Sequence, residues 1–445
     1  MLTLTNKNIL EKVVKKMLKN LKKVLVMTAT TVLVLAGCGG NTAPTDGPVE
    51  LRISWWGGDS RHTATLEAIE LFQEKTGITV KSEYGGFSGH QEKLTTQIAG
   101  NTEPDVMQLN WNWIVSFSPD GTGFYDLNEL NDTVQLNNFD STMLETGTVN
   151  GKLNGIPVST TGRALFLNKT TYEKFGVALP KTWDDVFAAA EKFDDGYYPM
   201  DLDNGSAATG FLMMTTWLQQ QTGRGFINEN KEIGYTRDEL ISGYKFYEEL
   251  VAKGVAPSIS ERSGEGGTTE LFEMPNWIDG KYAGVYEWSS SVSKYAGPLT
   301  ETNQELVLAD IPTVNNPVAS GIISKPSLMW GISSKTKHPK EAAMLLDFLL
   351  NDPEAASILA LERGVPNSIA ALEVLESEGK LSGLEYTGTQ FVVENSDVPL
   401  SPYFEDAELR SIYQSVMEKL GYGQITAEQA ADELIDSVTR RLNAI

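Results

Sequence analysis

This sequence predicts an α/β protein built as two lobes, and three observations predict it. Between Glu50 and Asn110 the pattern runs strand, helix, strand, helix, strand, which is how a parallel sheet covered by helices is written. At 445 residues the chain is long enough for two bodies, each with its own core. Beyond Asn110 short strands keep alternating with helical segments, and the last third is mostly helical.

In the opening strand Leu51, Ile53 and Trp55 alternate with Arg52, Ser54 and Trp56, the period of two that a strand requires. Gly57-Gly58 allow a tight turn, and Asp59 or Ser60 is placed to cap the next helix. That helix, over residues 63–76, has Leu66, Ile69 and Phe72 on one face and stops at Gly77. Ile78, Val80, Ser82 and Tyr84 alternate as a second strand. His90 to Ala99 is a second helix with Leu94 and Ile98 on its apolar side, and 105–110 is a buried strand leading into Trp111-Asn112-Trp113. Two Asn-Gly turn signals, at 150–151 and 154–155, accompany short strands. Residues 163–168 form a further apolar strand, and Thr182 is the N-cap of the helix opened by Pro180-Lys181-Thr182-Trp183. Helices follow over 211–221, 237–253 and 271–279, a strand over 281–288 and an extended stretch over 325–333. The final helices cover 339–350, 353–362, 368–379, 407–420 and 427–442. There is no internal repeat, and 263–269 is the one low-complexity block.

The first 37 residues have a different character. Seven lysines from Lys7 to Lys23 precede an apolar run over 24–36 and then Leu35-Ala36-Gly37-Cys38, the layout of an export signal. The run is shorter than the roughly 20 residues of a spanning helix. A second signal-like start at Met17 makes 1–16 read as an upstream extension. Leu-Ala-Gly-Cys resembles the bacterial lipobox, in which the cysteine becomes the lipidated first residue; a cleaved, soluble secreted protein is the alternative. Acyl chains contribute about 0.8 kcal/mol per buried CH₂, and stable attachment takes two signals such as dual acylation. Cys38 is the only cysteine, so there is no internal disulfide framework. Residues 38–48, with Pro44, Gly47 and Pro48, read as a tether. Without 1–37 the body has 29 basic against 58 acidic residues, a net charge of −29 rather than −23. Such a body does not bind nucleic acid or an anionic membrane surface non-specifically, and an anionic ligand needs a local basic pocket.

Several separated motifs carry a resemblance. Trp55-Trp56-Gly57-Gly58, Phe72 to Ile78 (FQEKTGI), Leu94 to Gly100 (LTTQIAG) and Pro104 to Gln108 (PDVMQ) look like the first lobe of the extracellular sugar-binding proteins of ABC importers. Gly155 to Thr160 (GIPVST), Asn168-Lys169, Pro180 to Asp184 (PKTWD), Asp279 to Gly284 (DGKYAG) and Glu287-Trp288 look like the second lobe. Within that family the stretches Trp55 to His62, Tyr84 to His90 and Met107 to Trp113 are most similar to proteins that bind pectin-derived oligogalacturonides. The resemblance implies a two-lobed periplasmic-binding-protein-like fold of the maltose-binding-protein type. Its three hinge crossovers would lie near 159–161, 329–331 and 364–366, with lobe one over 49–158 plus 330–364 and lobe two over 159–329 plus 365–445. It implies a monomeric receptor, anchored through Cys38 on the extracytoplasmic face of the cell membrane and needing no cofactor. Such a receptor closes over an oligosaccharide and hands it to the permease subunits. A neutral oligosaccharide is the alternative ligand, and a surface-anchored enzyme degrading uronate polymers is the alternative activity.

Sugars present an apolar C–H face, so rigid aromatic planes bind them while polar groups fix orientation. Trp55, Trp56, Trp111, Trp113, Trp217, Trp277, Trp288 and Trp330 are the available planes, with core packing the competing role for each. Trp55 and Trp56 must point to opposite faces of their strand, so one of them reaches the cleft, together with Trp111 and Trp288. Asn110, Asn112 and Trp330 complete the polar and aromatic set. His62 and His90 each follow a glycine-containing turn after a strand; with Arg61 they form an expected carboxylate-binding cluster, backed by the helix N-termini behind Gly58 and Gly89. Arg163, at the first crossover, is a second candidate cation, or else a structural salt-bridge partner. No Gly-x-Ser-x-Gly elbow, His-Glu-x-x-His helix or Walker loop occurs, so nothing singles out an enzyme. Asp201-Leu-Asp203-Asn-Gly205 has calcium-loop flavour, with its glycine one place early.

Overall fold

Alternation puts Leu51, Ile53 and Trp55 fully inside, and β1 (Glu50–Trp56) forms on that pattern. The computed structural model describes residues 49–445 apart from Ser88, residues 204–206, Glu229, Gly267 and Thr268. The export segment, the Cys38 lipidation site and the 38–48 tether lie outside the described residues. Helix α1 (Asp59–Thr76) begins four residues earlier than periodicity suggests. Gly58 is its extended N-cap with no side-chain bond, so Asp59 and Ser60 are first-turn residues and not caps; Asp59 still suits the positive end of the helix. The helix stops at Gly77 in a left-handed conformation, φ 72°, that glycine adopts without steric cost. Strand β2 (Thr79–Gly85), helix α2 (His90–Ala99) and strand β3 (Val106–Leu109) follow. Both β2 and β3 pair parallel to β1, one on each side.

The hairpin β4 (Thr148–Val149) and β5 (Lys152–Leu153) turns at Asn150-Gly151, φ 49° and 75°, the left-handed pair such a turn requires. The second Asn-Gly signal makes no hairpin. Gly155 instead runs so close to Gly147 that a Cβ on Gly147 would sit 1.9 Å from the Gly155 carbonyl oxygen. The expected strand over 163–168 is the end of a longer one, β6 (Ile156–Asn168), buried along its whole length. With β7 (Gly284–Trp288), β8 (Leu306–Ala309), β9 (Ile323–Ile332) and β10 (Val398–Pro399) it completes the sheet order β2-β1-β3-β9-β6-β7; β10 is attached to β9 and β8 to β6.

Two strands carry the chain between two cores. From Ile156 to Gly162, β6 pairs with β9; from Arg163 onward it pairs with β7 and β8. Ile156 and Val158 belong to the core that contains β1 and β3, whereas Ala164 to Leu167 belong to the second. In the same way β9 has Ile323 in the second core and Leu328 to Ile332 in the first. The segment after Leu359 lies against this crossing: the Ser159 hydroxyl bonds the Arg363 carbonyl, and Asn367 N–H donates to the Val158 carbonyl at 2.9 Å. The helix Ile369–Ser377 still packs on the first-core helices Pro339–Asn351 and Pro353–Leu359. The helix Gly383–Asn395 is the first to reach the second core, which places the third passage after the 364–366 position expected.

Thr182 caps the helix Trp183–Ala190 in a reciprocal box with Asp185. The helices Ser293–Glu301 and Gly383–Asn395 and the strand β8 were not legible from periodicity. Pro298 inside the first and Gly383 and Gly388 in the second break the helical signature. Residues 263–265, expected as low complexity, close the helix Ile259–Glu265.

Candidate functional site

At the C-terminal end of β1, alternation sends the two neighbouring indoles into different clusters. Trp55 is fully buried, stacks on Tyr84 with ring centroids 4.9 Å apart, and donates its N–H to Nδ1 of His62 at 3.1 Å. Trp56 packs against Trp113 (5.1 Å), His90 (5.2 Å) and Phe87 (5.6 Å). His90 also faces the Ser54 hydroxyl, 3.4 Å away, on the Trp56 side of the strand. The strand therefore separates the histidines that the sequence appeared to group with Arg61.

Neither imidazole supplies the expected positive charge. An indole N–H is a donor only, so His62 accepts with a lone pair on Nδ1 and is neutral in this bond. Burial, with Lys93 adding repulsion, pushes the His90 pKa down to about 4. The unfolded chain takes up that proton near the ordinary histidine pKa of about 6.5, while the fold resists until about pH 4. Stability from His90 is therefore complete above about pH 6.5 and is lost as pH falls toward 4. In urea titrations, wild type is expected to lose about 2 kcal/mol more than His90→Phe between about pH 7 and pH 5. Equal losses in the two proteins would show that His90 titrates normally.

Arg61 folds back over its own turn, close enough that a Cβ on Gly57 would lie 2.5 Å from its Cδ. Its Nε–H donates to the Glu362 carbonyl at 2.8 Å and Nη1 to the Trp56 carbonyl at 3.3 Å. Burial lowers its pKa, and the carboxylates of Glu362 and Glu385 act against that. Ser60 bonds Glu362 as well, at 2.9 Å. Glu385 belongs to the helix Gly383–Asn395 of the second core, and burial raises its pKa. Arg61 thus stands where the two lobes meet, already facing two protein carboxylates. Sequence reasoning missed its neighbour Arg363, which is buried with Nε on Gln108 and Nη2 on Thr65, both at 2.9 Å. Its guanidinium lies 5.1 Å from the ring of Trp330, an indole only 1% exposed and packed in the first core.

A second concentration of charge lies beside the crossing of β6. Register pairs Arg163 with Trp288 across β6 and β7, and Thr161 with Lys325 across β6 and β9. Thr161 and Arg163 are two apart on one strand, so all four side chains share a face of the sheet. The guanidinium of Arg163 lies 4.7 Å from the Trp288 ring and the Lys325 ammonium 4.8 Å from the same ring. Lys325 pairs with Glu405, and Asn112 of the first lobe donates to the Glu405 carbonyl at 3.1 Å, tying the lobes together here. Trp111 is buried with its indole N–H on the Thr146 carbonyl at 3.0 Å, and its backbone N–H donates to Oδ1 of Asn110 at 3.1 Å. Of the expected set, Asn112, Arg163 and Trp288 converge on this face; Asn110, Trp111 and Trp330 are engaged locally. Lys325 and Glu405 join them from 80 residues apart, with no local signal in the sequence.

Open aromatic surface comes from two rings of the Tyr84–His90 stretch that were not among the expected planes. Phe87 is 56% exposed and stacked on Trp113 at 5.9 Å, and Tyr84 is 48% exposed over Trp55. Among the described residues no group of His, Cys, Asp and Glu is arranged to hold a metal, and no helix is long and apolar enough to cross a membrane. The Asp201 carboxylate of the calcium-like stretch is paired with Arg262 at 2.8 Å, both side chains being buried.

Comparison with known proteins places this geometry in context. Residues 58–356 match the family described as bacterial extracellular solute-binding protein. The solved structure of a periplasmic oligogalacturonide binding protein from Yersinia enterocolitica, in complex with saturated digalacturonic acid, is 39% identical. It covers 89% of this chain and 99% of that one, with a TM-score of 0.78. A de novo designed cysteine esterase is also 39% identical, covering 89% and 98%, with a TM-score of 0.83. The present chain has no cysteine beyond Cys38. A binding protein of Brucella abortus (strain 2308) is 25% identical over 187 residues, 41% of this chain; the match spans 44% of that curated relative's length.

Proposed function

The chain belongs to the bacterial extracellular solute-binding protein family, and on that premise we propose that it is the lipid-anchored receptor of a carbohydrate ABC importer, with oligogalacturonide as its ligand and the permease subunits as its partners. The observation that carries the ligand class is the face on which Arg163 and Lys325 lie against the indole of Trp288. A uronate sugar has an apolar C–H face for the indole and a carboxylate for the cations. In a body of net charge −29 an anionic ligand needs cations to meet it, and Arg163 and Lys325 stand together here, each also paired with a carboxylate, Glu287 and Glu405. The 39% identity to the Yersinia enterocolitica protein supports the same ligand class. Closure of the lobes on the sugar is the signal passed to the permease, since a ligand that contacts both lobes favours the closed state.

Attachment through Cys38 follows from its lipobox-like setting, and palmitate labelling in cells is expected to disappear in Cys38→Ala. The ligand is tested by titration calorimetry. Digalacturonate is expected to bind at least about 10-fold more tightly than a neutral disaccharide of the same linkage, and the advantage should shrink as salt is added. Tighter binding of the neutral sugar would overturn the ligand class. Release of product from polygalacturonate by the purified protein would overturn the receptor role.

A further inference from the structure

Arg163 is 7% exposed, yet one edge of its guanidinium has no protein partner. Nη1 is engaged, donating to the Tyr286 carbonyl at 2.6 Å and lying 3.4 Å from Glu287. Nε is buried without a hydrogen bond, and Nη2 forms none among the described residues. Folded proteins keep few unpaired buried donors, and the Nε–Nη2 edge is one that grips a carboxylate in two parallel bonds. Two acceptors linked to the same face are orphaned too. Oδ1 of Asn112 and Oε2 of Glu405 are buried and unpaired, while the other end of each residue joins Asn112 to Glu405 and Glu405 to Lys325. One unpaired donor edge at the indole, and two unpaired acceptors linked to it through Lys325 and Glu405, form the complement of a sugar that carries one carboxylate and several hydroxyls.

We infer that this face is a uronate subsite in which the Nε–Nη2 edge of Arg163 takes the sugar carboxylate, Trp288 takes its C–H face, and Asn112 and Glu405 accept from its hydroxyls. Lys325, paired with Glu405, adds a second cationic group beside the indole. The inference rests on the receptor reading above and deepens it, because it assigns acid recognition to Arg163 rather than to Arg61 and His62. Arg61 gives Nε to the Glu362 carbonyl and Nη1 to the Trp56 carbonyl, so its Nε–Nη2 edge is not open, and the two histidines are on opposite sides of β1. Asn112 comes from the first lobe and Arg163 from the second, so one sugar residue bound here bridges the two.

The test is calorimetry with digalacturonate and its methyl ester, which keeps shape and loses the charge. Wild type is expected to favour the acid by about 100-fold, the scale of a bidentate charge-assisted contact. Arg163→Lys keeps the charge but loses the fork, and it should cut that acid-over-ester preference by about 10-fold. Arg61→Ala should keep the acid-over-ester ratio. A full preference in Arg163→Lys, or its loss in Arg61→Ala, overturns the assignment while leaving the receptor reading intact. Wild type that binds neither form overturns both. Should Arg163→Lys fail to fold by circular dichroism, Lys325→Met decides: a ratio reduced by about 10-fold supports the subsite, and an unchanged ratio overturns it.

Discussion

Replacing Trp113 with alanine is expected to lower the unfolding free energy by about 4 kcal/mol, the scale of a buried tryptophan deleted from a core. Trp113 is 2% exposed and is touched by Trp56, Phe87, His90 and Phe117 within 6.2 Å. Trp56 and His90 cannot move into the space, because they are held by their own strand and helix. Phe87 sits at the open side of the stack, so its truncation should cost little stability. If the ring is a platform for sugar, Phe87→Ala should weaken ligand binding by about 10-fold. Denaturant unfolding of Trp113→Ala and calorimetry on Phe87→Ala separate the two roles. Near-wild-type stability of Trp113→Ala would mean that the aromatic stack is not a structural unit.

A methyl group at Gly162 is the second substitution with a large expected effect. Here β6 changes partners from β9 to β7, and a Cβ would come 2.2 Å from Cγ1 of Val392 and 2.4 Å from the Ile323 carbonyl oxygen. The valine belongs to the helix Gly383–Asn395, which also carries Glu385, and the carbonyl to β9, which also carries Lys325. One of them must shift, and overpacking of this kind costs about 3 kcal/mol. Gly162→Ala is therefore expected to lower both the denaturation midpoint and the affinity for digalacturonate. An unchanged midpoint would show that the helix gives way freely at this crossing.

Much of the frame was legible from local pattern. The period of two in β1, the cap at Thr182 and the apolar face of the helix Ala427–Leu442 each depend on residues within one element, whose geometry a few neighbouring side chains enforce. The helix Gly383–Asn395 was not legible, because its glycines weaken the periodic signal and its place is set by packing on β6 and the Ser289–Ser291 turn. Arg61 and His62 looked like one basic feature because they are adjacent in sequence. On a helix, neighbours in sequence point about 100° apart, so one reaches Glu362 and the other Trp55.

The sequence by its own local chemistry thus settled the α/β class, the family resemblance and the presence of aromatic and cationic material near the ends of the first strands. Which cations come together in space was decided by the fold. Arg163 and Trp288 become partners through the register of β6 and β7, and Lys325 is brought beside them by β9. Burial and packing then determine what each charge can do: they strip His90 of its proton, engage Nε of Arg61 with a carbonyl, and leave Nε of Arg163 unpaired. Strand register and desolvation are properties of contacts between segments more than a hundred residues apart, and no local pattern encodes them.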